Sequence, residues 1–302
     1  MAGADAVHAL FPEHFLQRFL SQEIRPDARS FHSVRAMSMN RGMISGCDGS
    51  ASVHLGSTSV VAGATLCPIA IPPGAKPEGK ISVQVELGQI CSSRFQSGRP
   101  GEEAVVLSQL LTRTLQRSGA VDVESLVIKG EGGRNAAAWM ISVDVTCLNY
   151  DGNVADAALL AAFSALADVK IPQVSVSQLE QVVEKPDTEP SSLKILRIPV
   201  SLTHAVFESE GSMVAVVDPT AEEQDLSAAL ITVTVLLEAD LLSQRGADKA
   251  SEAAAILMYK QGGLAVDGAM LRGAIANARG RAVVVADMLA EGMRGAGDRM
   301  FE

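Results

Sequence analysis

The sequence predicts an α+β protein made of two similar halves. In each half, segments with a two-residue apolar alternation come first and segments with helical spacing follow, an order unlike the strand–helix alternation of a dinucleotide-binding sheet. Between the halves lies residues 171–193, IPQVSVSQLEQVVEKPDTEPSSL, with three prolines and only weak periodicity. The expected organisation is therefore an N-terminal helix and arm over 1–28, a first subdomain over 29–170, a linker over 171–193 and a second subdomain over 194–302. With 302 residues, 47% of them apolar, the chain is long enough to bury a large core.

Taken in order, FPEHFLQRFLSQEI (11–24) spaces Phe15, Phe19 and Leu20 as one face of a short helix, and Pro26 ends it. At least three short strands follow between about 35 and 72, with turns at Asp48-Gly49 and Gly56-Ser57. ISVQVELG continues as a strand. EEAVVLSQLLTRTLQRS (102–118) switches to helical spacing, its acids first and Arg113 and Arg117 late, as the helix dipole favours. SLVIKGE and WMISVDVTCLNY are strands, and Asp144 in the second is expected to be a hydrogen-bonded residue of a sheet face. Asp151-Gly152-Asn153 is a turn that feeds an Ala-rich helix running to about Asp168. In the second half KILRIPVSLTHAVF, SMVAVVDPT and ALITVTVLLEADLL read as strands, and GADKASEAAAILMYKQGG and GGLAVDGAMLRGAIANARGRAVVVADMLAEG as helices.

Composition excludes several classes of function. A net charge of -10 argues against coating nucleic acid or an anionic membrane by bulk attraction, so any RNA contact must be local. Only 4% of residues are aromatic, too few for a base-stacking platform. No run of eighteen apolar residues occurs, so no membrane role is expected. Cys47, Cys67, Cys91 and Cys147 form no CxxC pair, and the five histidines are scattered, so neither a metal nor any other cofactor is expected. A reducing compartment follows from the same cysteine usage.

Four segments invite chemistry. GEGGRN (130–135) lacks the spacing of a nucleotide loop and reads as a hairpin turn. SGRPGEE (97–103), with Arg94 just before it and Arg99 inside it, either meets RNA phosphates or caps the helix that follows. VDPTAEEQ (217–224) is a metal-assisted acid site or a solvated strand end, with the second favoured. The Asp151-Gly152-Asn153 turn has the shape of a phosphate site, because a helix N-terminus leaves N–H groups unpaired. It offers Ala155 and Asp156, however, where a cation and a hydroxyl would help.

RPDARS, DGSASVHLGSTSVVAG, CSSRFQSGRPGEEA, CLNYDGNVADAALLAAFSAL and VVDPTAEEQDLSAALITV stand in an order and at separations that resemble the RNase PH superfamily, across residues 25 to about 235. More closely, the chain resembles the non-catalytic RNase PH-like subunits of the eukaryotic RNA exosome core ring. Ala28 departs from the family pattern, which has glycine after RPD. The resemblance implies an RNase PH fold of two subdomains like the second domain of ribosomal protein S5, with mixed sheets and helices. It also implies a six-member ring with other RNase PH-like subunits, RNA-binding cap subunits, RNA threaded through the channel, and residence in nucleus, nucleolus and cytoplasm.

Active members of the superfamily shorten RNA from its 3′ end with inorganic phosphate as nucleophile. The resemblance implies that their phosphate site carries an arginine and a hydroxyl where this chain has Ala155 and Asp156. It implies two aspartates, six residues apart, where this chain has Asp218 and Gln224. A carboxylate beside the anion would cost on the order of 4 kcal/mol at about 4 Å and an effective dielectric near 20. Asp156 is also expected to stabilise the first turn of its helix. An amide supplies no proton to a leaving oxygen and no charge to Mg²⁺. The expectation is thus a structural, RNA-binding ring subunit with no catalytic residue, Arg94 and Arg99 being the residues that would touch RNA. The alternative is an active phosphate-dependent 3′-to-5′ exoribonuclease with an unusual site.

Overall fold

The computed structural model describes residues 10–72, 76–96, 98–129, 135–176, 182–184, 189–209, 212–240 and 253–295. Two sheets dominate. The first contains β1 (Met37–Arg41), β2 (Gly49–Leu55), β3 (Thr58–Ala70), β4 (Lys80–Glu86), β5 (Val127–Lys129) and β6 (Asn135–Asn149). Its order is β1-β2-β3-β6-β4, with β5 also on β6, and β4 alone runs parallel to its neighbour. After the short pairs β7 (Lys170–Ile171), β8 (Val174–Val176), β9 (Val182–Glu184) and β10 (Ser191–Ser192) comes the second sheet. It is antiparallel in the order β12-β11-β13-β14, from β11 (Arg197–Ser209), β12 (Ser212–Val217), β13 (Ala229–Glu238) and β14 (Ala254–Gly262).

Among the described residues five helices pack on these sheets: α1 (Pro12–Leu20), α2 (Glu102–Ser118), α3 (Val154–Asp168), α4 (Ala221–Leu226) and α5 (Gly268–Gly295). α3 meets β2 and β3 of one sheet and β11 of the other. A helix between two sheets must be apolar all round, and from Ala157 to Leu166 every residue of α3 is buried. That accounts for a run of Ala, Leu and Phe broken only by Ser164, whose hydroxyl meets the Met39 sulfur at 2.8 Å. One core cluster consequently joins both sheets, from Ala51 through Leu160 to Val233.

The free edge at β4 is closed by side chains from α2. Val83 and Val85 donate their N–H groups to Thr112 Oγ1 at 3.0 Å and Ser108 Oγ at 2.8 Å, and Gln116 Nε2 donates to the Ile81 carbonyl at 2.8 Å. Residues four apart stand one above another on a helix, so this polar stripe satisfies the strand groups that would otherwise recruit another strand.

Three sequence expectations need correction. α1 buries Leu16 and Leu20, while Phe15 and Phe19 stack on each other with centroids 4.9 Å apart at its half-exposed side. Asp144 is exposed on the outer face of β6. The Ala-rich run read as a helix over 246–263 is strand β14 where it is described, paired with β13 from Leu236↔Ala254 to Ala229↔Gly262. Its helix-favouring alanines are overruled by that ladder, the expected outcome where tertiary pairing competes with a weak local preference. The GEGGRN turn lies outside the described residues except for Asn135, which begins β6.

Ala28 carries a positive φ of 62°, the left-handed conformation that glycine adopts freely. Ala28→Gly is therefore expected to stabilise the chain by about 1 kcal/mol, read as a higher midpoint in urea with an unchanged slope.

Candidate functional site

Two turns meet at the centre of the molecule, Asp151-Gly152-Asn153 ahead of α3 and Asp218-Pro219-Thr220 ahead of α4. They touch backbone to backbone. Gly152 has φ +74°, and a methyl group there would sit 2.4 Å from the Thr220 carbonyl carbon. Asn153 and Asp218 also have positive φ, 51° each, a region that Asn and Asp enter more readily than most residues.

Asp218 is wholly buried, which overturns the reading of VDPTAEEQ as a solvated strand end. Its carboxylate accepts the Arg35 backbone N–H at 2.8 Å, Arg35 Nε at 3.0 Å, Arg35 Nη2 at 2.9 Å, Asn153 Nδ2 at 2.7 Å and Arg29 Nη1 at 3.2 Å. The Arg35 fork reaches further, donating from Nη1 to the Asp151 carbonyl at 2.7 Å. Burial alone would raise the Asp218 pKa, but Arg35 and then Asn153 more than offset it and hold the carboxyl below its ordinary value.

Glu223 is equally committed. It caps α4 reciprocally with Thr220 and accepts both arms of the fully buried Arg25, Nε at 2.9 Å and Nη2 more closely. Arg25 donates as well to the carbonyls of Val217 at 2.8 Å and Asp218 at 3.0 Å. RPDARS thus delivers two buried or half-buried arginines, Arg25 and Arg29, to the turn that carries VDPT.

Asp156 neither caps its helix nor faces an anion site. The carboxylate turns between α3 and β11, where Thr203 donates its N–H at 2.8 Å and its hydroxyl at 3.0 Å. Burial pushes its pKa up, with the nearby Asp218 charge adding to the rise and the two Thr203 hydrogen bonds opposing it. Asp156 stands in the first turn of α3, where the helix dipole favours an acid, but packing determines where the side chain points.

Beside this hub an open cleft of about 610 Å³ lies among the N-termini of α2 and α3, α4 and the ends of β13 and β14. Ala155 and Gln224 line it, whereas Asp156 and Asp218 do not. Its charged lining residues are Arg94, Glu102, Glu103 and Asp225. The Gln224 side-chain carbonyl accepts the Asn153 N–H at 3.0 Å and so occupies the head of the α3 turn. Arg94 leans over the ring of Tyr150, 5.1 Å from its centroid, and Nη1 donates to Asp225 at 3.0 and 3.3 Å. Glu103 lies 3.7 Å from the other terminal nitrogen. Burial raises the Glu103 pKa, Arg94 pulls it down and Asp225 pushes it up again. Arg99 is exposed outside the cleft lining and enters no ion pair among the described residues.

No cluster of three or more His, Cys, Asp or Glu side chains suited to a metal occurs among the described residues. Cys91 and Cys147 are buried neighbours, and burial with the adjacent thiol pushes Cys147 up to about 12, which keeps it protonated and inert.

Residues 33–172 match the 3′ exoribonuclease family (RNase PH), domain 1. The exosome complex component rrp43 of Schizosaccharomyces pombe is 37% identical over 227 residues, covering 74% of this chain and 79% of that one. The chain belongs to the RNase PH family. The Rrp42 exosome component of Methanothermobacter thermautotrophicus is 34% identical over 231 residues, 76% of this chain and 81% of its own. Among solved structures, a chain of the Archaeoglobus fulgidus exosome with RNA bound to the active site superposes with a TM-score of 0.72 at 27% identity, covering 94% of this RNase PH chain and 96% of that one.

Sequence pattern did not single out Arg35, Thr203, Tyr150 or Asp225, and gave Asn153 only as part of a turn. Only Arg25 and Arg29 carried a signal, through the RPDARS motif, since ion pairs 183 to 198 positions apart leave no local pattern.

Asp218 and Asp156 should separate cleanly on mutation. Asp218→Asn leaves buried Arg35 poorly paired and is expected to cost about 3–5 kcal/mol. With its folded pKa depressed, Asp218 contributes stability that is present above the unfolded value of about 3.9 and is lost as pH falls through the folded value. Asp156 has the opposite sign, because a raised folded pKa makes its ionisation oppose folding once pH exceeds about 3.9. Asp156→Asn should therefore gain on the native chain as pH rises from 4 to 7 in urea unfolding, while Asp218→Asn should be less stable by a constant amount over that range, its deficit shrinking only as pH falls below about 4.

Proposed function

We propose that this chain is a non-catalytic subunit of an exosome core ring, where it completes the ring beside other RNase PH-like chains and touches threaded RNA without cleaving it. Cap proteins would sit on the same ring, and the nucleus, nucleolus and cytoplasm are its proposed locations. The observation that carries the reading is the makeup of the cleft. Ala155 and Gln224 stand there, three carboxylates face one arginine, and that arginine is already paired. Inorganic phosphate entering would meet net negative charge, would have to displace a carboxylate from the one guanidinium there, and would find no second cation.

Asp218, the one of the two aspartates that this chain keeps, does not meet the needs of a general acid either. A general acid must be protonated and within reach of the leaving oxygen. Asp218 is held ionised by Arg35 and lies inside the protein rather than at the cleft surface. RNA contact falls to the exposed loop that carries Arg94 and Arg99, and in a chain of net charge -10 such contact is local.

Two measurements test this. In a ring reconstituted from this chain and its partner subunits, Ala155→Glu should leave phosphate-dependent release of nucleoside diphosphates from RNA unchanged. A large loss would establish a working phosphate site in this cleft. Arg94→Glu combined with Arg99→Glu should weaken RNA binding by the ring and lower its salt slope by about 1 for each phosphate contact removed.

A further inference from the structure

The acids of the two turns are used up in packing, but one acid at the cleft is not. Asp225 is 57% exposed in its side chain, and among the described residues its carboxylate hydrogen-bonds Arg94 alone. It stands in the last turn of α4, where a negative charge opposes the helix dipole, so helix stability does not explain it. Its partner is held in place independently. The Arg94 guanidinium lies 5.1 Å from the Tyr150 ring centroid and 5.4 Å from that of Phe95, and these two rings meet edge to face at 5.3 Å. An arginine parked on aromatic faces keeps its position when its carboxylate leaves.

We propose that Asp225 competes with the RNA backbone for Arg94 and thereby sets how tightly this cleft holds a phosphodiester. The inference rests on the reading above that Arg94 meets RNA. A carboxylate and a phosphodiester present the same pair of acceptor oxygens to a guanidinium fork. At 3.0 and 3.3 Å, Asp225 occupies the Nη1 donor that a phosphate oxygen would take, and Glu103 stands 3.7 Å from Nη2 as a second, looser competitor. Exposed pairs of this kind are weak, so RNA displaces the carboxylate at a modest loss of affinity. The consequence is a contact that lets RNA slide past instead of gripping it.

The test uses the full chain in its reconstituted ring and a labelled single-stranded oligoadenylate followed by fluorescence anisotropy, with thermal melting to verify that each variant folds. Asp225→Asn should bind about three- to tenfold more tightly at low salt, Asp225→Glu should match the native chain, and the gain should vanish in the Arg94→Ala background. If Arg94→Ala weakens binding but Asp225→Asn changes nothing, the competition is overturned and the RNA contact stands. An Asp225→Asn gain that persists without Arg94 would also overturn it, as a general charge effect. If Arg94→Ala leaves binding unchanged, the RNA-contact reading of Arg94 fails, and the competition with it.

Discussion

The ion pair between Arg35 and Asp218 is the constraint on which this structure depends. Arg35 sits just ahead of the first sheet, Asp218 at the end of β12 in the second, and the turn before α3 is clasped between them by the bond from Arg35 to the Asp151 carbonyl. Two charges taken out of water are tolerated only where geometry is good and remaining hydrogen-bonding positions are filled. Here the fork is bidentate, and Asn153 and Arg29 complete the carboxylate's shell. The absence of a side chain at Gly152 lets the two turns approach closely enough for one arginine to span both.

The polar groups around the cleft likewise find partners within the chain. Gln224 caps the turn N–H, Asp225 takes the loop arginine, and Thr203 satisfies Asp156 while sharing its hydroxyl with Thr232 at 3.0 Å. Each is a hydrogen bond made within the chain, and together they tie the N-terminus of α3 to β11 and α4.

Much of the fold was legible in the sequence because it follows from local pattern. The limits of α2 and α3, Glu102 to Ser118 and Val154 to Asp168, coincide with the spacing and turn signals. β14 was not legible, since alanine favours helix and only pairing with β13 overrides that preference. The site was half legible. Ala155, Gln224 and Arg94 could be placed by motif, and all three line the cleft. Asp156 and Asp218 could be located on their elements but not oriented, because a helix position in the first turn allows a side chain to face either the cleft or the neighbouring sheet. The choice was made by Thr203, on a strand 47 residues further along.

The negative charge of the cleft does not come from Asp156. A carboxylate at the phosphate position would repel the anion directly, yet the carboxylate found there points away and is shielded by hydrogen bonds. The charge that the cleft presents comes from Glu102, Glu103 and Asp225, which lie on α2 and α4. Two of these reach the same arginine, so the cation and its neutralising acids act as one unit with a net negative balance. A phosphate must displace a carboxylate to reach Arg94 and still lacks a second cation. Glu102 and Glu103 on α2, Ala155 on α3 and Asp225 on α4 share this cleft, so an arginine introduced at position 155 would stand among acids that are ready to pair with it.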